Sequence, residues 1–408
     1  MEMSLKQKLF YFFPVLFCFC LPFGSLTLSV IIAFWTIASF FNLDKTQLKN
    51  GFLNKNAWLL LLFYLSTILS AIFSKNKTEA FSAMEVKMSF FFFPYLMFCF
   101  KWPIDILRRC VISFVSGCFF ACLYLIGRAF VFSMNGQPEY FFYTLFSDLI
   151  HASYFAMYLI LAIVFVVMFY HDWFKSQRSV IYSSYFFVSV FVTSIFLCSS
   201  KLGLISFFIT MPILVAYRWR HLLTTTRSIL LLVALVMVVF ISAKVFPGTF
   251  ARMNSLSNVS LGNLDKTSSE STTVRVLIWE QSVNIIRSNF ILGTGVGDAN
   301  DTLYESYREN GLTGAYTHHF NAHNQFFQSF IGLGIIGFLL LLMLTIGQVI
   351  KGLVKRNFLL FLFSLIIVLN FFVESMLQTS AGVLFFAFFY CFFNLISETE
   401  LRGQPAQE

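Results

Sequence analysis

Apolar runs of roughly 16 to 30 residues recur from one end of the chain to the other, separated by short polar breaks, and most are long enough to cross a bilayer core of about 30 Å. Marking them gives about twelve candidate spans, at 9–23, 25–41, 57–73, 84–100, 108–132, 150–170, 180–198, 202–217, 229–246, 328–350, 357–373 and 379–396. The run 9–41 contains Pro22 and Gly24. Proline cannot continue a helix and glycine tolerates the turn, so two short helices are predicted there instead of one long tilted one. The first run lacks a small-residue cleavage site and flows into the second, so no cleavable signal peptide is expected.

The long polar interval, 247–327, divides into a polar stretch from Asn254 to Thr273 and an amphipathic one from Val274 to Phe290. Loops of that length are usually functional or disordered. The helical periodicity of its second half predicts a folded segment, and chemistry is expected there. The predicted fold is an all-α polytopic membrane protein, a single transmembrane domain over 1–408. It has about 12 transmembrane helices and one long, partly helical loop between spans nine and ten.

Composition removes the competing classes. With 58% hydrophobic and 12% charged residues, the chain has half the charge of an ordinary soluble domain, about 25%, and far too much apolar surface for disorder. The 57 Phe read as lipid-facing bulk. Cys18, Cys20, Cys99, Cys110, Cys118, Cys122, Cys198 and Cys391 lie in or beside apolar runs, which predicts no disulfide framework.

The net charge of +9 is spread in small groups, so it does not point to nucleic acid. It sets topology instead. With the N-terminus inside, Lys6, Lys8, Lys45, Lys49, Lys55, Lys101, Arg108, Arg109, Lys175, Arg178, Arg218, Arg220, Arg227, Lys351, Lys355, Arg356 and Arg402 fall in inside segments, as cytoplasmic loops require. Both termini are then cytoplasmic, and 247–327 lies outside.

Ionisable groups near a membrane are costly and so mark candidate sites. His151 opens the sixth span, and His318, His319 and His323 precede the tenth, all on the outer side. His171 and His221 belong to basic inner loops. In Thr317-His318-His319-Phe320-Asn321-Ala322-His323-Asn324-Gln325, a histidine fixed at the mouth of a helix is placed to act as a general base. It could equally be an interfacial histidine that hydrogen-bonds a loop carbonyl. The zinc-protease pattern is absent around His319 and His323, so no metal is predicted.

Arg275, in Thr273-Val274-Arg275-Val276-Leu277-Ile278-Trp279, Lys201, in Ser199-Ser200-Lys201-Leu202-Gly203, and Arg252, after the ninth span, are placed on the same face. Converging cations suit a phosphate or diphosphate. The alternative is that each snorkels to lipid headgroups. Gly293-Thr294-Gly295-Val296-Gly297 has neither P-loop nor dinucleotide spacing and reads as a turn. Asp298 and Asp301 follow it without a magnesium pattern, and Glu374, on the outer side between the last two spans, has no assigned role.

Taken in order, Arg275-Val276-Leu277-Ile278-Trp279, Leu292-Gly293-Thr294-Gly295-Val296-Gly297, and His323-Asn324 followed by Gly332-Leu333-Gly334-Ile335-Ile336-Gly337 resemble the O-antigen ligase family. The resemblance implies a GT-C-like membrane glycosyltransferase of the bacterial inner membrane with its active site at the periplasmic face, working without metal or cofactor. It implies transfer of a polyprenyl-diphosphate-linked glycan to a lipid A–core or other glycan acceptor. His323 would be the base, Arg275, Lys201 and Arg252 would hold the diphosphate, and His151, Asn324 and His319 would line the site. Lys201 departs from the arginine usual after serine in the family, and lysine cannot make a bidentate phosphate contact.

The related O-antigen polymerases and protein O-glycosylating ligases use the same kind of donor. A transporter or flippase is the alternative of another class, but it should carry its charges near the bilayer midplane.

Overall fold

The computed structural model describes residues 3–24, 26–174, 178–220, 244, 265–268, 271–396 and 400–401. Among these the secondary structure is helical, with no strand. In chain order the helices are α1 (Leu5–Cys20), α2 (Leu26–Phe40), α3 (Lys45–Leu53), α4 (Lys55–Phe73), α5 (Lys77–Val86), α6 (Ser89–Phe98) and α7 (Ile104–Met134). They continue with α8 (Tyr143–Phe146), α9 (Ala152–Phe174), α10 (Arg178–Leu197), α11 (Lys201–Arg218), α12 (Ser271–Ser288), α13 (Ala299–Glu309) and α14 (Thr313–Thr317). The last four are α15 (Gln325–Leu344), α16 (Ile346–Val354), α17 (Phe358–Phe371) and α18 (Ser380–Leu395).

Among the described residues 6 segments are long and apolar enough to cross a membrane, Leu5–Phe23, Lys55–Phe73, Ile104–Met134, Ala152–Tyr170, Lys201–Arg218 and Gln325–Val354, and shorter apolar helices accompany them. The 9–41 run does split: a 3-10 turn, Leu21–Phe23, separates α1 from α2, and Gly24 takes φ 115°. The 84–100 run differs from expectation, because it is two helices, α5 and α6, meeting at Lys87 and Met88. There the chain tightens into i→i+3 bonds, Met88 N–H to Glu85 and Phe90 N–H to Lys87. Pro94 inside α6 offers no N–H to the turn before it, and α6, at 10 residues, is about 15 Å long, too short to cross. The candidate span 229–246 and Arg252 lie outside the described residues, apart from Lys244.

The chain divides into two compact units. The first comprises Met1–Asn42, Trp102–Asn254 and Glu398–Glu408. Its central helix is α9, almost wholly buried from Ala152 to Tyr170, with α7, α10 and α11 packed against it. Arg128, the charged residue deepest in an apolar run, is paired with Asp148 and donates to the carbonyls of Leu145 and Phe146. It thus fixes the loop before α9, as a buried cation must be paired.

The second unit comprises Leu43–Lys101 and Ser255–Ser397. In α12 the buried positions Val274, Leu277, Ile278, Gln281, Ser282, Ile285 and Ile286 recur at intervals of three and four, one helix face. That face forms a core with Ala299, Leu303, Tyr307, Leu312, Ala315, Ala322, Phe330 and Ile331. The amphipathic stretch is therefore a helix that packs against α13 and α15.

The two glycine motifs interlock. Gly334 breaks the helical path of α15 at φ 62°, ψ −160°, which frees main-chain groups that need partners. Thr294 N–H donates to the Ile331 carbonyl at 2.7 Å, and Ile335 N–H donates to the Phe290 carbonyl at 3.0 Å. A Cβ on Gly334 would sit 2.2 Å from the Ile291 oxygen, and one on Gly293, at φ 72°, would sit 2.6 Å from the Ile331 oxygen. Only glycine permits both the positive φ and this approach of two backbones.

Candidate active site

The site is built where three chain segments of the second unit meet. Asn324 caps α15, its side chain accepting from Phe327 N–H, as N-cap asparagines do. Its amide donates to the Phe372 carbonyl at 3.1 Å, and its own N–H donates to Ser375 Oγ at 3.2 Å. Fully buried Gln325 accepts from Leu377 N–H and donates to Ser329 Oγ. The start of α15 and the segment after α17 are thereby clamped together, and this brings His323 beside Glu374.

His323 itself is held at φ 43°, a conformation that costs about 1–3 kcal/mol for a non-glycine residue unless its surroundings impose it. They do so here. Trp279 Nε1 donates to the Ala322 carbonyl, Gln328 Oε1 accepts from Ala322 N–H, and Asn321 Oδ1 accepts from His323 N–H. The Phe320 ring meets the imidazole edge to face at 5.2 Å.

Glu374 is the link. Its Oε1 accepts from Arg275 Nη2 at 2.9 Å, and its Oε2 lies 3.5 Å from His323 Nδ1. The side chains of Arg275, Glu374 and His323 are 17%, 12% and 21% exposed, so the carboxylate acts with little screening by water. At that distance Nδ1 makes no hydrogen bond to the carboxylate; closing the gap would leave Nε2 as the nitrogen for proton transfer. Glu374 lies 99 residues from Arg275, and nothing in the local sequence joins them. The only signal in the chain is an ionisable group at the end of an apolar helix.

The other sequence-derived candidates fall as follows. His319, at φ 50° and exposed, stacks its ring edge against Tyr304 at 4.9 Å, and Tyr304 donates its hydroxyl to the His319 carbonyl. Burial, with Glu79 and Asp301 nearby, pushes the Tyr304 phenol up and keeps it a neutral donor. Asn324 is buried and engaged on both sides, so its observed work is positioning the loop.

In the first unit, Lys201 is the first residue of α11, whose cap Ser200 accepts from Gly203 N–H. Ser200 Oγ is 2.9 Å from Ser153 Oγ in the first turn of α9. His151, exposed, precedes α9 and accepts weakly from Ser153 N–H at 3.4 Å. His151 and Lys201 therefore stand at the N-terminal ends of two packed helices.

The glycine turn binds protein. Ser70 Oγ accepts from Val296 N–H and donates to the Gly332 carbonyl, and Ser74 Oγ accepts from Gly297 N–H. Asp298 accepts from the main-chain N–H groups of Lys75 and Asn76 at 2.8 and 2.7 Å, while Asp301 accepts from the Asn76 amide. These carboxylates anchor the start of α5.

No curated protein matches the chain. A family model described as O-antigen ligase matches residues 186–342, a segment that includes Lys201, Arg275 and His323 and stops short of Glu374. Over that segment, about two fifths of its length, the chain is similar to the O-antigen ligase family.

Proposed function

We propose that the protein is a metal-independent glycosyltransferase of the bacterial inner membrane that moves a polyprenyl-diphosphate-linked glycan onto a lipid A–core acceptor. In this reading the chain is a GT-C-like polytopic membrane enzyme with 247–327 at the periplasmic face. The observation that carries it is the cluster Arg275–Glu374–His323, two of whose members lie in the matched family segment.

The chemistry follows from the leaving group. Diphosphate departs readily, so the enzyme has to position the acceptor, remove one proton and neutralise the developing charge. His323 Nε2 takes the proton of an acceptor hydroxyl as its oxygen bonds to the anomeric carbon. The anomeric carbon's bond to the diphosphate oxygen breaks, and the diphosphate leaves with the electron pair. Arg275, Lys201 and Arg252 are the proposed diphosphate cations. Lys201 opens α11, and a helix N-terminus favours an anion by about 0.3–1 kcal/mol.

The test is the lipopolysaccharide of a deletion strain. A ligase loss leaves bare core and long glycan stranded on carrier lipid. Core capped by a single repeat would overturn the ligase reading in favour of a polymerase. Purified protein that transfers glycan without ion gradient or nucleotide excludes a transporter.

A further inference from the structure

Glu374 lies outside the matched family segment, yet its two carboxylate oxygens serve two different groups of the proposed site. Oε1 is occupied by Arg275 at 2.9 Å, a full charge-assisted hydrogen bond. Oε2 stands 3.5 Å from His323 Nδ1, beyond hydrogen-bond length. The carboxylate is thus committed to the arginine and only adjacent to the histidine. The segment bearing it is fixed by Asn324 to Phe372 and Ser375 and by Gln325 to Leu377, which keeps the carboxylate within reach of both groups.

We propose that Glu374 is the positioning residue of the His323 base, and that an anionic diphosphate engages it by drawing Arg275 away. This deepens the glycosyltransferase reading and rests on it. With the diphosphate bound, Arg275 turns its guanidinium to phosphate oxygens, and Glu374 closes on Nδ1–H. The imidazole is then held in the tautomer that leaves Nε2 free to accept a proton. When the acceptor hydroxyl gives up that proton, the imidazolium forms next to a fixed negative charge. Base and donor site are coupled through one carboxylate, so an empty site holds its base unready.

The experiment uses the full-length protein with ring-15N histidine, and farnesyl diphosphate as a sugar-free probe of the donor site. In the native protein the probe is expected to move the His323 nitrogen signals toward a single Nδ1–H tautomer, and in Glu374→Gln the probe still binds but the tautomer shift is lost. In transfer assays Glu374→Gln lowers kcat by about 100-fold, within the range of losing an effective base, with donor KM unchanged or lowered, and Glu374→Asp recovers part of kcat. A merely structural role would instead raise KM and lower probe binding together.

Native tautomer signals and native kcat in Glu374→Gln overturn the proposal, as does a wild-type His323 spectrum insensitive to the probe, which needs no variant to fold. Activity retained in His323→Ala would instead remove the base reading itself, whatever Glu374 does.

Discussion

Asp298 and Glu374 are both carboxylates at polar breaks of the second unit, and they are used in opposite ways. Asp298 is satisfied by two neutral main-chain donors, Lys75 N–H and Asn76 N–H. Such donors neither titrate nor move, so the bond is a fastening. Glu374 faces an arginine and a histidine, both side chains and both able to change partner or protonation. A carboxylate surrounded by fixed dipoles holds a fold together, whereas one shared by two ionisable side chains can take part in chemistry.

The comparison can be broken at either end. The largest effect is expected for His323→Ala, which should lower transfer by about 10²-fold to 10⁴-fold, the usual worth of a positioned base, while the protein stays in the membrane at native abundance. Near-native turnover in a reconstituted assay would return His323 to the status of an interfacial histidine. Arg275→Ala should weaken farnesyl diphosphate binding and raise donor KM by about tenfold, the loss of one charge-assisted bond of roughly 1.5 kcal/mol. Isothermal titration with the probe separates this from a loss of fold.

Asp298→Ala should do the reverse. It should lower stability by about 1–2 kcal/mol, read as a fall in Tm, and leave kcat per folded molecule unchanged. A kcat loss there without a Tm change would erase the distinction between the two carboxylates. The smallest effect is expected for Lys201→Arg. It keeps the charge and adds a fork of donors, so donor KM should stay within about twofold; a large rise would point to a steric role in place of phosphate binding.

The parts of the fold governed by local rules were legible in the residues. The split of 9–41 followed from Pro22 and Gly24, and the helix over the amphipathic stretch followed from apolar positions at intervals of three and four. Hydropathy predicts one span over 84–100, where the chain forms two helices, because it counts apolar bulk and does not register a turn at Lys87 or a missing N–H at Pro94.

The candidate site was legible by residue type, since Arg275 and His323 stood out as ionisable groups beside apolar helices. Glu374 was visible by the same reasoning but had no role, because its partners come from segments distant in sequence. The sequence reads Gly293–Gly297 as a turn and Gly332–Gly337 only as part of the family pattern; their common purpose lies in the Gly334 kink, which Thr294 and Phe290 complete.

By itself the sequence determined that the chain is helical and membrane-bound, because backbone hydrogen bonds in lipid must close within each segment and apolar length is a local property. Only the tertiary structure decided that one carboxylate binds Arg275 and stands beside His323, because pairing of charges depends on which distant segments are clamped together. Here the clamp is made by Asn324, Gln325 and Ser375.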